Sequence, residues 1–196
     1  MKPHTYTSVF HDWFTFSNYY SIIARRLAEL RRPVRIAEIG VLEGAGTSYL
    51  CVELMNLGVE FTLFAHDTFA LGKYEHFTFE NQLEKFSKQM RQAGCYERVI
   101  PIKGDSSLKA SIHDDNSLDF VFVDGNHSFM GLVKDVGAYW NKLKDGGIMG
   151  AHDYTPAHPA VWAFGNELAR NPELNVEFYG EPDNVWSVTK NPITTP

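Results

Sequence analysis

The sequence contains few cysteines, and this shortage excludes two ways of stabilising or equipping a small protein. There are two cysteines, Cys51 and Cys95. Two are too few for a disulfide framework, and neither stands in a C-x-x-C or other metal-ligand spacing. We therefore interpret both as buried thiols that take no part in chemistry.

Clusters of positive charge and long apolar runs are also missing. Lys and Arg total 18 against 24 Asp and Glu, which gives a formal net charge of −6. Without a basic stripe, a nucleic-acid partner is not expected. No run approaches the roughly 18 apolar residues of a membrane span, and residues 1–12 lack the charged and apolar regions of a secretory signal. We expect a soluble, cytoplasmic protein without a membrane partner.

The hydrophobic pattern alternates between strands and helices along a chain of 196 residues, a size typical of one domain. Helices are predicted at residues 12–32, with Asp12 as the N-cap, and at 47–57, 79–94, 106–113 and 128–143, where Gly146-Gly147 ends the last one. Strands are predicted at residues 34–39, 59–65, 98–103, 118–123 and 148–151. Residues 69–76 are expected to be irregular. Five such βα units indicate an α/β fold with a parallel sheet.

The C-terminal part breaks this alternation. A helix predicted at 159–170 is followed by two short strands at 176–179 and 185–189, which read as a hairpin. A dinucleotide-binding fold would continue with another βα unit instead. Residues 191–196 are expected to be loose.

The most informative segment, residues 36–48, joins an apolar strand to a glycine-rich turn and the start of a helix. In an open α/β sheet, a nucleotide-like cofactor binds at such a turn. The glycines follow the pattern Gly40-x3-Gly44-x-Gly46, which does not reproduce the G-x-G-x-x-G that holds a pyrophosphate. Glu38, at the strand end, would repel a pyrophosphate but suits a ligand that carries positive charge. Asp67, after the second strand, suits a ribose, and its spacing alone fits NAD equally well.

Further motifs follow the ends of the later strands: Gly104-Asp105-Ser106, Val123-Asp124-Gly125-Asn126-His127 and Ala151-His152-Asp153-Tyr154. Together with Glu38-Ile39-Gly40-Val41-Leu42-Glu43-Gly44 and Asp67, they resemble the class I S-adenosylmethionine-dependent methyltransferases. The branch in question has an E-I-G-V-x-x-G-x-[ST] first motif and a V-D-G-x-H fourth motif.

The resemblance covers residues 34–190 and implies a Rossmann-like seven-stranded sheet of order 3-2-1-4-5-7-6. Helices would cover both faces, and the antiparallel hairpin would supply the last two positions. We accordingly predict an N-terminal helical cap segment at residues 1–33 and an S-adenosylmethionine-binding methyltransferase domain at residues 34–190.

The implied cofactor is S-adenosylmethionine, which has no phosphate but carries a sulfonium and an α-ammonium group. Glu38 is then a favourable neighbour, and it decides between the two cofactors. Asp105 and Ser106 would touch the adenine edge, although either one could instead cap the next helix. The expected cofactor-binding residues are Glu38, Gly40, Gly44, Thr47, Asp67, Asp105, Ser106 and Asp124.

The chemistry is expected where the fourth and fifth strands end, because Asp124 and Asp153 would lie about 5 Å apart there. Two carboxylates this close repel by roughly 3 kcal/mol at an effective dielectric constant of about 20. A divalent cation such as magnesium would relieve the repulsion and acidify a substrate hydroxyl. The alternatives are a helix cap for Asp124 and a turn for Asp153.

The resemblance supports this interpretation, because matching acids bind a metal in several natural-product sugar and oxygen methyltransferases of the branch. It implies Asp124 and Asp153 as metal ligands and His127 as the catalytic base. His127 could instead be a polar loop histidine that contacts the cofactor. His152 is a departure, since some metal-using relatives have an acid there and imidazole suits hard cations less well. The other histidines, His66, His113 and His158, are expected in solvated loop or strand-end positions.

Three functions remain open from the sequence. The first is an S-adenosylmethionine-dependent methyltransferase acting on an oxygen of a small-molecule or sugar-like acceptor. The others are an NAD-dependent oxidoreductase and a catalytically idle cofactor-binding or assembly protein. The loop at 69–79 and an aromatic N-terminus are lid candidates, although the aromatics could instead cover the sheet edge or a partner in a homo-oligomer: Tyr6, Phe10, Trp13, Phe14, Phe16, Tyr19 and Tyr20.

Overall fold

The computed structural model describes residues 1–6, 11–70, 72–74 and 77–191. Its strands are β1 (Val34–Ile39), β2 (Phe61–Asp67), β3 (Gly72–Tyr74), β4 (Phe77–Phe79), β5 (Val99–Lys103), β6 (Leu118–Val123), β7 (Leu143–Ala151), β8 (Asn175–Tyr179) and β9 (Val185–Thr189). Its α-helices are α1 (Ser17–Glu29), α2 (Ala45–Asn56), α3 (Gln82–Ala93), α4 (Ser106–Lys109), α5 (Phe129–Trp140) and α6 (Pro159–Ala169). No helix among these described residues is long and apolar enough to cross a membrane.

Seven strands form the main sheet, in the order β5-β2-β1-β6-β7-β9-β8. The strands from β5 to β7 pair in parallel, whereas β9 pairs antiparallel with both β7 and β8. Numbered along the chain without β3 and β4, this order is 3-2-1-4-5-7-6. The predicted fold, including its C-terminal hairpin, is therefore confirmed.

Strand β6 shows why helices cover both faces of the sheet, since each of its residues is buried. Phe120 and Phe122 point to a core shared with α1, α2 and α3, while Val121 and Val123 belong to a core shared with α5 and α6. Successive side chains of a strand face opposite sides, so the nearly continuous apolar run of β6, interrupted only by Asp119, is buried on both faces. The N-terminal helix packs in the first of these cores, and the domain boundary at residue 34 stays a prediction.

The prediction for the first helix is wrong at its beginning. Residues His11–Trp13 form a short 3-10 turn, and α1 begins only at Ser17, so Asp12 is not its N-cap. The N-cap is Phe16, whose ring is buried against Phe122 with the ring centroids 4.9 Å apart. Tertiary packing of Phe16 therefore sets the start of the helix, and no side-chain cap contributes.

Two local predictions fail because strand pairing overrides the local pattern. Within the stretch expected to be irregular, β3 and β4 pair antiparallel, with Gly72 opposite Phe79. The helix predicted from Phe79 accordingly begins at Gln82. Helix α5 ends at Trp140, and Gly146-Gly147 lie within β7 at a register irregularity. The lid prediction at 71, 75 and 76, the aromatic Phe10 and the tail beyond Asn191 lie outside the described residues.

Candidate functional site

A cavity of about 950 Å³ opens along the carboxyl ends of the parallel strands. This is the edge at which open α/β sheets bind ligands, because loops diverge there. Among the predicted site residues, only Gly44 and Thr47 do not line the cavity. The residues that do are Glu38, Gly40, Asp67, Asp105, Ser106, Asp124, His127 and Asp153.

The glycine-rich turn is shaped by two glycines with positive φ angles. Gly40 has φ +82°, and a Cβ there would overlap the backbone carbonyl of Asp124 on the neighbouring strand. Gly44 has φ +83°, and a Cβ there would come within 2.7 Å of Met90 Cε and 2.8 Å of Phe86 Cδ2. Both positions exclude any side chain, so the turn brings the backbone close to the end of β6 and to α3.

Glu38 is the buried carboxylate of the turn, with a relative exposure of 3%. Tyr20 Oη donates a hydrogen bond of 2.8 Å to Oε1, while no described residue donates to Oε2. Burial raises the pKa of Glu38 to about 7, against the opposing effect of the Thr47 and Tyr20 hydroxyls. Nearby Asp124 raises this pKa further. The cavity therefore holds a desolvated carboxylate that no described cation neutralises.

Asp67 fixes the turn from the end of β2. Its Oδ2 accepts hydrogen bonds from the backbone N–H groups of Val41 at 3.0 Å and Leu42 at 2.9 Å. Its Oδ1 accepts another from the N–H of Phe69 at 2.8 Å. Asp67 lies in the cavity wall, as a ribose-binding residue must, and contact with a ribose stays a prediction.

Asp105 and Ser106 have different partners although they are neighbours in the chain. Asp105 is the N-cap of α4, and its exposed carboxylate accepts hydrogen bonds from Leu108 N at 3.2 Å and Ser107 Oγ at 2.7 Å. The capping interpretation is confirmed for Asp105. The Ser106 hydroxyl instead donates to Asp135 Oδ1 on α5.

At the ends of β6 and β7, two aspartates and three histidines form a group that we call the Asp-His cluster. Its members are Asp124, His127, His152, Asp153 and His158. Asp124 Oδ1 lies 3.3 Å from His127 Nε2 and 3.1 Å from His152 Nδ1. Asp153 Oδ2 lies 3.2 Å from His127 Nδ1 and 3.6 Å from His158 Nε2. The structure thus brings together all three residues predicted for the chemistry.

Charges within the Asp-His cluster compensate one another. Burial opposes the ionisation of Asp124, yet His152 and His127 together hold its pKa below the ordinary value. Burial likewise opposes protonation of His127 and His152, but their contacts with Asp124, and with Asp153, raise both pKa values above the ordinary one. Contacts with the histidines therefore relieve part of the repulsion between the carboxylates for which a cation was predicted.

The arrangement also has the ligand types and spacing of a metal site. Asp124, His152 and Asp153 each offer an atom, all within 4.8 Å of one another, and His127, Asp153 and His158 form a second such set. Both predicted ligands, Asp124 and Asp153, are present in the first set. Asp153 has φ 63°, and this left-handed backbone is a strained conformation of the kind that functional sites retain.

The predictions for three histidines are only partly correct. His158 lies in a loop with its side chain 40% exposed, as predicted, but it contacts Asp153 and so belongs to the Asp-His cluster. His66 lies at the end of β2, as predicted, but His66 and His113 are buried rather than solvated, and their Nε2 atoms lie 3.0 Å apart. The pattern of β2 does not indicate this burial, because Thr62 and Phe64, on the same face as His66, are only partly buried.

The N-terminal segment contributes one wall of the cavity and contacts His152 of the Asp-His cluster. Trp13, Phe14, Thr15 and Phe16 line the cavity. The Thr15 hydroxyl lies 3.0 Å from His152 Nε2, and the Phe16 ring packs on His152 with centroids 4.5 Å apart. Tyr19 and Tyr20 are fully buried against Phe120 and Phe122 of β6, so they cover the centre of the sheet rather than its edge.

Comparison with known proteins identifies the family. The model of a family described as "Methyltransferase domain" matches residues 37–154. These residues include the glycine-rich turn and every member of the Asp-His cluster except His158. The chain belongs to this methyltransferase family. The interpretation of the sequence as a class I S-adenosylmethionine-dependent methyltransferase is thereby confirmed. No curated protein matches the methyltransferase in sequence.

Solved structures share the fold of the methyltransferase at low sequence identity. A cofactor-bound protein from MTB has a TM-score of 0.67 at 14% identity, with 96% of this chain and 83% of that chain covered. SAH-bound methyltransferase PaMTH1 from Podospora anserina has a TM-score of 0.62 at 16% identity, covering 89% and 77%. The O-methyltransferase TomG from Streptomyces achromogenes, in complex with SAM, has a TM-score of 0.62 at 14% identity, covering 89% and 79%. These likenesses support the fold.

Proposed function

We propose that this methyltransferase transfers the methyl group of S-adenosylmethionine to an oxygen of a small-molecule or sugar-like acceptor. The observation that carries the proposal is Glu38, a buried carboxylate with an unbonded oxygen beside the glycine-rich turn. A sulfonium and an α-ammonium group supply the positive charge that Glu38 lacks. The solved structures of TomG with SAM and PaMTH1 with SAH, which have the same fold, support this choice of cofactor.

An NAD-dependent oxidoreductase is a poorer match to the same residues. A pyrophosphate would have to approach Glu38, and its two negative charges would disfavour the ionised carboxylate further. The helix start that would hold the phosphates also differs, because Gly44 is packed against α3 rather than left open for a ligand. The charge of the cofactor end therefore favours the sulfonium cofactor.

His127 is the proposed base for the acceptor hydroxyl. It lies in the cavity between Asp124 and Asp153, at the carboxyl ends of β6 and β7. In its neutral form the imidazole accepts the hydroxyl proton while the oxygen attacks the methyl carbon and the sulfur leaves as a thioether. Holding donor and acceptor in line contributes most of the acceleration, up to about 7–11 kcal/mol in favourable cases.

A divalent cation bound by Asp124 and Asp153 is a further part of the proposal. The fit rests on the two carboxylates and on His152, whose ligand atoms lie within 4.8 Å of one another. When bound, the metal would lower the pKa of the acceptor hydroxyl. The two carboxylates are donors that suit magnesium and manganese, whereas the imidazole of His152 suits these cations less well. In that state the carboxylates would no longer need imidazolium partners, which leaves His127 neutral.

Two measurements test the proposed function. Thermal shift with S-adenosylmethionine, S-adenosylhomocysteine and NAD should show stabilisation by the first two alone; stabilisation by NAD alone would instead support the oxidoreductase. Transfer of labelled methyl groups to a panel of hydroxyl-bearing small molecules, with EDTA, magnesium or manganese, should yield O-methylated products. Cofactor binding without transfer to any acceptor under any of these conditions would favour the idle cofactor-binding protein.

A further inference from the structure

Asp135 is a buried carboxylate in the cavity wall that the proposed chemistry does not use. It lies on α5 with a relative exposure of 4%, and it lines the same cavity as Glu38. Its neighbours in that wall come from the ends of other strands: Ser106 after β5 and His66 near the end of β2. Burial of a carboxylate to this depth costs free energy, because the group loses its hydration, so the position calls for a functional explanation.

The carboxylate of Asp135 is only half satisfied by the protein. Oδ1 accepts a hydrogen bond from Ser106 Oγ, and no described residue donates to Oδ2. No described cationic side chain forms an ion pair with Asp135. Burial raises its pKa, the Ser106 hydroxyl opposes this effect, and the charge of Asp105 raises the pKa again. One acceptor oxygen of Asp135 is therefore available to a ligand in the cavity.

The residues packed around the Asp135–Ser106 contact join α5 to α4 and β2. Tyr139, one turn further along α5, donates from Oη to the carbonyl oxygen of Ser106 at 3.1 Å, which ties α5 to α4. The His66 ring packs against Tyr139 and contacts His113. Burial lowers the pKa of His66 to about 3 and that of His113 to about 4, so both rings are neutral at physiological pH. Oδ2 of Asp135 is therefore an acceptor that this part of the wall offers to a hydrogen-bond donor of a ligand.

Asp105, the acid that the sequence motif assigns to the adenine edge, is less suited to this role. Its carboxylate is exposed and already accepts hydrogen bonds from Leu108 N and Ser107 Oγ in capping α4. Asp135 lies 29 residues after Ser106, the next residue of the motif, but is joined to it directly by a hydrogen bond. Asp135, the hydrogen-bond partner of Ser106, is thus the residue that supplies a buried acceptor.

We propose that Asp135 Oδ2 accepts a hydrogen bond from the 6-amino group of the cofactor's adenine ring, so that Asp135 is a specificity-determining residue for the base. This inference rests on the proposed function, since it assumes an adenosyl cofactor. The glutamate at one part of the cavity would recognise the charged methionine end, and Asp135 would recognise the neutral amine of the base. A hydrogen bond between an amine and a carboxylate changes affinity by about tenfold or more.

The test is a calorimetric double-mutant cycle on the full chain, with S-adenosylhomocysteine and an analogue that lacks the 6-amino group. The unmodified protein should bind the analogue about tenfold or more weakly. Asp135→Ala should bind both ligands with nearly equal affinity, whereas Asp105→Asn, which changes the acid that the motif assigns to the adenine edge, should keep the preference. Circular dichroism and unfolding curves establish that each variant folds; if Asp135→Ala does not fold, Asp135→Asn, which should show a reduced preference, replaces it.

The outcomes separate this inference from the function on which it rests. If the unmodified protein binds S-adenosylhomocysteine but does not distinguish the analogue, the role of Asp135 is wrong and the proposed cofactor stands. The same conclusion follows if Asp135→Ala keeps the full preference. If the unmodified protein binds neither ligand, the proposed function itself fails and the inference fails with it.

Discussion

Two neighbouring parts of the cavity balance buried negative charge in opposite ways. Glu38, in the part that we call the cofactor end, has one hydrogen bond from Tyr20 and no described cationic partner. In the Asp-His cluster, Asp124 and Asp153 are surrounded by histidines at 3.1 to 3.6 Å. The cofactor end therefore lacks a positive charge until a ligand supplies it, while the cluster is already balanced.

This difference indicates which of the two, the cofactor end or the Asp-His cluster, depends on its ligand for a balanced charge. A group left with an unfavourable charge stores free energy that a complementary ligand can recover on binding, as pre-organised sites do. A balanced group gains less from a new cation, because the cation must replace existing imidazolium contacts. The contrast predicts strong electrostatic coupling between Glu38 and the cofactor. It also predicts that a metal at the Asp-His cluster competes with the protons of the histidines for the carboxylates.

The largest expected effect lies at the cluster. Replacement of His127 by alanine should lower kcat by roughly 10²- to 10⁴-fold, because a positioned base contributes about that factor. Cofactor affinity, measured by calorimetry, should change little. His158→Ala, a more exposed histidine of the same cluster, should cost much less. Full turnover by His127→Ala, with normal cofactor binding, would remove His127 as the base.

Asp153→Asn should weaken the response of the enzyme to magnesium or manganese. We expect metal affinity to fall by about 10- to 100-fold or more, since the variant loses one carboxylate ligand. Methyl transfer by the unmodified protein is measured as a function of metal concentration after EDTA treatment and compared with that of the variant. Asp115→Asn, at an exposed aspartate that lies outside the cavity and pairs with Lys142, should behave like the unmodified protein. Activity insensitive to EDTA would contradict metal assistance.

At the cofactor end, Glu38→Gln should stabilise the free protein at pH 8 by about 3 kcal/mol, because one pKa unit corresponds to 1.36 kcal/mol. The folded-state pKa of Glu38 is raised from 4.5 to about 7, so ionisation costs stability. This cost grows as pH rises from about 4.5 to about 7 and should be absent below that window. Urea unfolding at pH 4, 6 and 8 measures it.

Glu43 provides the matched comparison for that stability measurement. It is equally buried but forms an ion pair with Lys85, with Nζ 2.9 Å from Oε1. Glu43→Gln should therefore give no comparable gain in the free energy of unfolding at pH 8. Equal stabilisation by both substitutions would show that the missing cation at Glu38 is not the cause.

The smallest expected effect concerns the link between the N-terminal segment and the cluster. Thr15→Val removes the hydroxyl that lies 3.0 Å from His152 Nε2. The free energy of unfolding should fall by about 1 kcal/mol, the usual net value of one such hydrogen bond. Denaturant unfolding measures the change, and Thr15→Ser, which keeps the hydroxyl, should restore most of it. An unchanged stability in Thr15→Val would show that this contact does not hold the segment.

The order of strands and the cofactor end could be predicted because local signals there coincide with the tertiary structure. Gly40 and Gly44 have positive φ angles, and a Cβ at either position would come too close to neighbouring atoms. Both therefore appear in the sequence as a glycine pattern. The continuous apolar run of β6 follows from burial on two faces. In such positions a residue type has one physical cause, and the sequence indicates it directly.

The Asp-His cluster and the cavity wall around Asp135 could be predicted only in part, because several of their contacts join distant parts of the chain. His152 meets Asp124 across 28 residues, and Asp135 meets Ser106 across 29 residues. Neither contact leaves a local pattern, since a histidine or an aspartate is equally common on a solvated surface. The failed N-cap at Asp12 has the same origin, because packing of Phe16 decides where α1 begins.

The most direct test of the contrast is the number of protons released when S-adenosylmethionine binds at pH 7. Calorimetry in two buffers of different ionisation enthalpy measures it for the unmodified protein and for Glu38→Gln. With a pKa of about 7, Glu38 is about half protonated in the free protein and should ionise beside the cationic ligand. The unmodified protein should release about half a proton more than the variant. Equal proton release by the two proteins would contradict the role of Glu38 as the partner of the positive charge.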